Sequence, residues 1–189
     1  MNLHLMVACS PVQSPIKNQY MLNTYSIPKH HPKALYGTLF VTPTDAIAGY
    51  QTNNMLYIAK PYQLDAFAHN AWVSPPAGMI YPLIIQNLQQ SHLFKAVVSG
   101  AYAWKTDYRL DTQLIALQQN YLTKPSQIEL ITKAVLTDTK QHVLASKVFK
   151  EILPCPKDSP WGGVIAANGA AKKMTAQLNQ FIQQTLEKN

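Results

Sequence analysis

Three consecutive segments in the second half of the chain alternate apolar and polar residues, and they constrain the fold more than any other feature. Tyr108 to Tyr121 begins with Tyr108, Leu110, Thr112 and Leu114 on one side and Arg109, Asp111 and Gln113 on the other. Gln127 to Leu136 alternates through Ile128, Leu130, Thr132, Ala134 and Leu136, and His142 to Leu153 supplies a third long strand. A period of two places successive side chains on opposite faces of a sheet, so each segment reads as a strand. The link Thr137-Asp138-Thr139-Lys140 joins the last two as an antiparallel hairpin. It lacks the glycine of the tightest hairpins, which favours a longer loop built on a type I turn. From Ile115 onward the phase of the first segment becomes mixed, and this predicts a bulge or a change of environment.

Two other segments carry the helical period. Ser74 is placed as an N-cap with Pro75 at the first helical position, where a missing N–H costs little. Ile80, Ile84 and Leu88 follow at four-residue spacing, with Gln86, Gln89 and Gln90 opposite. Pro82 predicts a kink or marks the true first turn. After the loop Pro154 to Pro160 and Trp161-Gly162-Gly163, a second helix shows in Val164, Ala167, Ala171, Met174, Leu178, Phe181 and Thr185. Shorter strands are expected over Tyr20–Thr24, Thr38–Thr42, Met55–Ala59 and Phe94–Ser99. Tyr62 to Asn70 reads as a strand or a helical turn. The order of strands, helix, strands and helix predicts an α+β fold: a mostly antiparallel sheet with two main amphipathic helices packed on one face. Residues 19–189 are expected to form one domain, with residues 1–18 as a truncated export segment and tether.

A chain of 189 residues with 47% hydrophobic and 13% charged residues can bury a core without disulfides. No apolar run reaches the length of a bilayer-spanning helix. The net charge of +7 fits either a soluble protein with excess lysine or a surface that meets an acidic partner such as anionic lipid. Nucleic acid fits less well: Arg109 is the single arginine, the lysines are spread along the chain, and no nucleic-acid motif is present.

Nothing in the chain has the spacing of a catalytic or metal site. The nine acidic residues are scattered, with no HExxH or GxSxG. Cys155 sits between prolines without a histidine partner in a known signature. His30 and His31 have no further ligand at a useful spacing, and His69 reads as a structural or surface residue. Gly162-Gly163 precedes a helix but lacks the rest of a phosphate-binding motif. These features favour a non-enzymatic protein with no metal and no cofactor. Tyr102 and Trp104 either form an exposed contact or fold back onto the domain. Ile115, Leu117, Ile131 and Val135 give the long strands a partly apolar second face, which suits a partner interface or a hydrophobic ligand.

The N-terminal run Leu5-Met6-Val7-Ala8 before Cys9 has the form of a bacterial lipoprotein signal, whose cysteine is lipidated. Only eight residues precede Cys9, fewer than the roughly 15–30 of an export signal, so the start is expected to be truncated. An ordinary terminus, or a Cys9–Cys155 disulfide in an oxidising compartment, also stays open.

From Tyr57 onward the chain resembles the ABC-type transport auxiliary lipoprotein family. The resemblance rests on Leu56-Tyr57-Ile58, on Tyr62 through Ala68, and on Trp72 followed by Pro75-Pro76. It continues through Leu83, Leu88 and Ser91 to Leu93-Phe94, Asp107-Tyr108-Arg109-Leu110, and Gly162-Gly163-Val164 through Asn168. It implies an accessory lipoprotein anchored by lipid at Cys9, facing the periplasm and held at the outer membrane. The implied partners are an MCE-domain protein and ABC transporter subunits, and the implied cargo is phospholipid or another hydrophobic molecule. No catalytic residue carries over. A homo-oligomer, and a periplasmic carrier that binds a small hydrophobic ligand directly, remain as alternatives.

Overall fold

The computed structural model describes residues 17–100 and 106–188. In chain order these form β1 (Asn18–Tyr20), β2 (Tyr36–Val41), β3 (Asp45–Ala46), a 3-10 turn (Ala48–Tyr50), β4 (Asn54–Lys60), β5 (Gln63–Trp72), α1 (Pro76–Ser91), β6 (Phe94–Val98), β7 (Tyr108–Asn120), β8 (Gln127–Asp138), β9 (Val143–Pro154) and α2 (Pro160–Leu186). The nine strands make one sheet, and the fold is α+β.

β7 is the spine of that sheet. β8 pairs antiparallel along its whole length, and β9 pairs antiparallel with β8. On the other edge β7 meets β2, β3 and β4 in turn, each parallel to it. β6 extends the sheet beyond β2, and β5 beyond β4, with β1 outermost. The long ladders are thus antiparallel, and parallel pairings of two to four residues stitch the short strands on.

The mixed phase at Ile115 is a bulge. The β7–β8 register shifts between Leu114 and Ala116. Before it Leu110, Thr112 and Leu114 point inward; after it Leu117 and Gln119 do. The one-residue slip exchanges the faces, so Leu117 joins the core and not the second face where alternation alone had put it.

Both helices cover the inner face. Ile80, Ile84 and Leu88 of α1 and Ala167, Ala171, Met174 and Leu178 of α2 are almost fully buried with Leu110, Leu114, Leu130, Leu136 and Phe149 of the sheet. Burying such an aliphatic side chain contributes about 1.5–3 kcal/mol. Ala166, Ala167, Ala170 and Ala171 keep that face of α2 thin and let it lie close to the sheet.

Several local expectations need correction. The N-terminal strand is Asn18–Tyr20, parallel to β5; beyond Tyr20 the chain leaves the sheet, and Leu22 N–H donates to Met79 Sδ on α1 (3.4 Å). Of the two readings of Tyr62–Asn70 the strand holds: β5 begins at Gln63, and Tyr62 precedes it in the turn at φ 65°. Ser74 does not cap α1: Pro75 holds the N-cap position with extended backbone, and Pro76 is the first helical residue. Pro82 lies inside α1. It takes an N–H from the ladder and crowds the carbonyl four residues back. That residue is Gly78, on the solvent side of the helix with open space around it. The β8–β9 loop has no glycine, and Asp138 organises it by accepting from Lys140 N (2.8 Å) and His142 N (2.9 Å).

α2 starts at Pro160, so Gly162 and Gly163 lie in its first turn, which the Ser159 side chain caps by accepting from Gly162 N (3.1 Å). Both glycines answer close approach. A Cβ on Gly162 would stand 2.1 Å from the Lys157 carbonyl oxygen, and one on Gly163 would stand 2.4 Å from Gln119 Oε1. Gly162→Ala is therefore expected to destabilise the protein by about 1–3 kcal/mol, because backbone must move. Gly78→Ala, in open space, is expected to gain up to about 1 kcal/mol. Urea unfolding of the two variants checks both signs.

Candidate functional site

The inner face of the sheet is committed to packing. A cavity between α1, α2 and the sheet, lined by Ile80, Ile84, Thr132, Phe149, Met174 and Leu178, holds about 10 Å³. That is room for one water at most and far below the volume of a ligand pocket. One carboxylate enters this face: Glu151, 5% exposed, which accepts from Gln177 Nε2.

The outer face of β7, β8 and β9 is open and carries both apolar and charged side chains. The ladder sets Ile131 opposite Lys150, Lys133 opposite Val148, and Glu129 opposite Ile152. Val148 and Ile152 are exposed, and Ile115, Ile131 and Val135 are half-buried. Glu129 also accepts from Gln118 Nε2 and Asn120 Nδ2, both 2.9 Å. Directly across the ladder each of these apolar groups on β8 and β9 meets a charged or polar one, and the apolar groups neighbour one another on the diagonal.

At the other end of β7 the single arginine is spoken for. Arg109 donates from Nε and Nη2 to Asp111 at 2.8–3.0 Å, and its guanidinium lies 5.8 Å from the Phe40 ring centre. Burial works to raise the Asp111 carboxyl, but hydrogen bonds from Arg109 and from Thr42 Oγ1 (2.9 Å) outweigh it and hold the group below its usual range. An open groove of about 620 Å³ beside this pair is lined by Tyr108, Thr137, Asp138 and Gln141, and it is mostly polar.

The structure treats the remaining sequence candidates unevenly. Cys9, Tyr102 and Trp104 lie outside the described residues. Cys155 is buried, its thiol pushed up by burial, and it accepts from Gln119 Nε2 (3.5 Å). A thiol so placed stays protonated and inert. Beside it, burial pushes Tyr121 up to about 12. The His30 and His92 rings lie 4.0 Å apart, tilted by 48°. Among the described residues no group of three His, Cys, Asp or Glu side chains could hold a metal. Gly162 and Gly163 serve the close approach of α2. Residues that carry the family resemblance have structural roles: Trp72 is 2% exposed, and Asp107 accepts from Thr38 N (2.6 Å) where Gly37 leaves it room.

Sequence reasoning missed Val148 and Ile152, because β9 has apolar residues in both phases. It also missed that Trp161 is 55% exposed at the start of α2. Its position before two glycines in a helical run was the available signal.

No family model and no curated protein matches the chain. Solved structures do. The chain is similar to protein XCC0632 from Xanthomonas campestris, of family model DUF330, with a TM-score of 0.80 and 17% identity over 90% of this chain and 98% of that one. It is similar to an uncharacterized protein with a TM-score of 0.70 and 18% identity, over 88% and 99% of the two chains. Hypothetical protein CT253 from Chlamydia trachomatis aligns with a TM-score of 0.50 and 8% identity, over 81% and 95%. The shared property is the fold.

Glu151 gives a test of the inner face. Burial pushes its carboxyl up, against Lys173 and the Gln177 hydrogen bond. A carboxyl raised on folding favours the folded state at low pH, and that contribution is lost as pH rises through the folded pKa. Glu151→Gln keeps an acceptor for Gln177. It is expected to unfold at a higher temperature than the parent near pH 7, with the gap closing below about pH 4. A pH series of thermal melts reads this directly.

Proposed function

We propose that the protein is a non-enzymatic accessory lipoprotein of an ABC/MCE-type transporter, acting at the periplasmic face of a Gram-negative envelope by binding protein partners. The observation that carries this reading is the contrast between the two faces of the sheet. The inner face is packed to about 10 Å³, and the outer face alternates Ile131, Val148 and Ile152 with Lys150, Lys133 and Glu129. A patch of apolar side chains interleaved with charges has the composition of a non-obligate protein interface. An acyl chain laid along it would also have to cover Lys133 and Lys150, which stand directly across the ladder from Val148 and Ile131. The resemblance from Tyr57 to Asn168 supplies the identity of the partner, an MCE-domain protein or its ABC subunits. ATP hydrolysis belongs to a separate subunit in this reading, and cargo moves through the partner.

The periplasmic carrier is the second reading. It gains least from the interior, and the open groove near Arg109 that it could use is mostly polar.

The decisive experiment is a pull-down from crosslinked envelopes with the full-length precursor, read by mass spectrometry. Recovery of an MCE-domain protein or ABC subunits is expected. Val148→Asp with Ile152→Lys should lower that recovery about tenfold, since charges are forced into the contact, each across the ladder from an opposite one at Lys133 and Glu129. Stability should change by less than about 0.5 kcal/mol per site, because both side chains are exposed. A monomer carrying bound lipid and no such partners overturns the reading in favour of the carrier. Cys9→Ser in the precursor is expected to move the protein from the membrane to the soluble fraction.

A further inference from the structure

The start of α2 carries an apolar surface that the fold does not use. Trp161 and Ile165, one turn apart, are 55% and 45% exposed, while Gly162, Gly163, Val164, Ala166 and Ala167 between and after them are buried. The segment after β1 lies beside them. The Tyr20 ring centre is 5.8 Å from that of Trp161. Asn168 donates to the Met21 carbonyl (3.1 Å) and accepts from Asn23 N (2.9 Å), which fixes Met21 with its side chain half in solvent. Val73, also exposed, donates its N–H to the Tyr20 carbonyl (2.8 Å). Single exposed apolar residues are ordinary. Here Tyr20 and Trp161 are in ring contact, Ile165 lies one turn along the same helix, and the exposed residues Met21 and Val73 follow Tyr20 and Trp72 in the chain.

Two further observations choose the occupant. Lys17, Lys157 and Lys172 are all exposed around the patch: before β1, in the loop entering α2, and two turns beyond Ile165 on the same stripe. The neighbouring acid, Asp158, accepts from Ser126 N (2.6 Å), with Lys124 nearby. Also, the chain enters the patch straight from the segment that holds Cys9. Cys9 precedes Lys17 by eight positions, a reach of at most about 30 Å.

We infer that this patch rests on an anionic phospholipid surface. Trp161 and Tyr20 sit at headgroup level, Ile165 faces the acyl boundary, and the lysines face the phosphates. The inference rests on the envelope reading above for a membrane within reach, but it needs no acyl chain on the protein.

The test uses the full chain carrying Cys9→Ser, floated with vesicles of phosphatidylethanolamine and phosphatidylglycerol. The parent is expected to float, and its tryptophan emission to shift to the blue. Trp161→Ala with Ile165→Ser should lower the bound fraction about tenfold. Lys17→Glu with Lys172→Glu should abolish the preference for phosphatidylglycerol and flatten the salt dependence. Val143→Ser, an equally exposed apolar site at the β8–β9 loop, should float like the parent. Circular dichroism and melting temperature confirm that each variant is folded. Failure of the folded parent to float, or equal flotation of the Trp161 variant, overturns the inference. So does a photo-crosslinker at position 161 that captures a protein instead of lipid. Loss of flotation with transporter subunits still recovered in the pull-down leaves the accessory reading standing; flotation without those subunits does the reverse.

Discussion

The bulge at Ile115–Ala116 sets what each side of β7 can do. Had the alternation of Leu110, Thr112 and Leu114 continued, Ala116, Gln118 and Asn120 would face the helices and Leu117 would face water. The extra residue reverses this: Leu117 enters the core, while Gln118 and Asn120 turn outward to Glu129. It also swings Gln119 inward beneath the first turn of α2, where it is 1% exposed. There Nε2 donates to Ser126 Oγ (2.9 Å) and to the Ser159 carbonyl (3.2 Å), tying the β7–β8 link to the N-cap of α2. Gly163 leaves room for that amide, since a Cβ there would press on Gln119 Oε1. One inserted residue therefore fixes the core, the seat of α2 and the polar character of the outer face.

The parts of this architecture that were legible in the sequence are those with long periods. Thirteen residues in β7 and twelve in each of β8 and β9 give alternation enough to be read, and the break of phase at Ile115 announced the bulge. Both helices were legible because Ile80, Ile84 and Leu88, and Ala167, Ala171, Met174 and Leu178, repeat over several turns. The attachment of β2, β3 and β4 to one edge of β7 was not legible. Each pairs over two or three residues, too few for a pattern, and tertiary packing decides the partner. The start of α1 was misread by one residue because Ser74 looked like a cap. With two prolines following it, Pro75 takes the extended N-cap conformation and the helix opens at Pro76. Tyr20 to Thr24 has strand-like residues, yet Leu22 and Ser26 donate to Met79 Sδ and Thr175 Oγ1 on the helices, which draws the segment off the sheet.

The candidate surfaces were harder to read because exposure, unlike period, has no signature in one sequence. β9 places Lys147, Phe149 and Glu151 in one phase and Val148, Lys150 and Ile152 in the other, so neither phase is plainly the buried one. Packing settles it. Phe149 is 2% exposed against Phe181 of α2, and the Lys147 amine lies over the Phe149 ring at 5.2 Å, its stem along the edge of the core. Once Phe149 is inside, Val148 and Ile152 must face out. Trp161 is exposed for a related reason. Gly162 and Gly163 bring the backbone of α2 against the Lys157 carbonyl and Gln119, and the side chain one position earlier has nowhere to go but solvent.

The two surfaces also differ in what they can tolerate. On the outer sheet face, charges stand directly across the ladder from apolar groups, so a hydrocarbon layer laid over it would take Lys133, Lys150 and Glu129 out of water, which is costly. A protein can supply opposite charges at those positions. At the start of α2 the lysines stand around the apolar residues and not between them, an arrangement that lets Trp161 and Ile165 enter an interface while the amines stay with phosphate and water. Because α2 lies on the helix side of the sheet and the Val148–Ile152 row on the opposite side, contact through one leaves the other free. The two proposed contacts, with a bilayer and with a protein, therefore fall on separate surfaces that the β7 bulge holds in fixed relation.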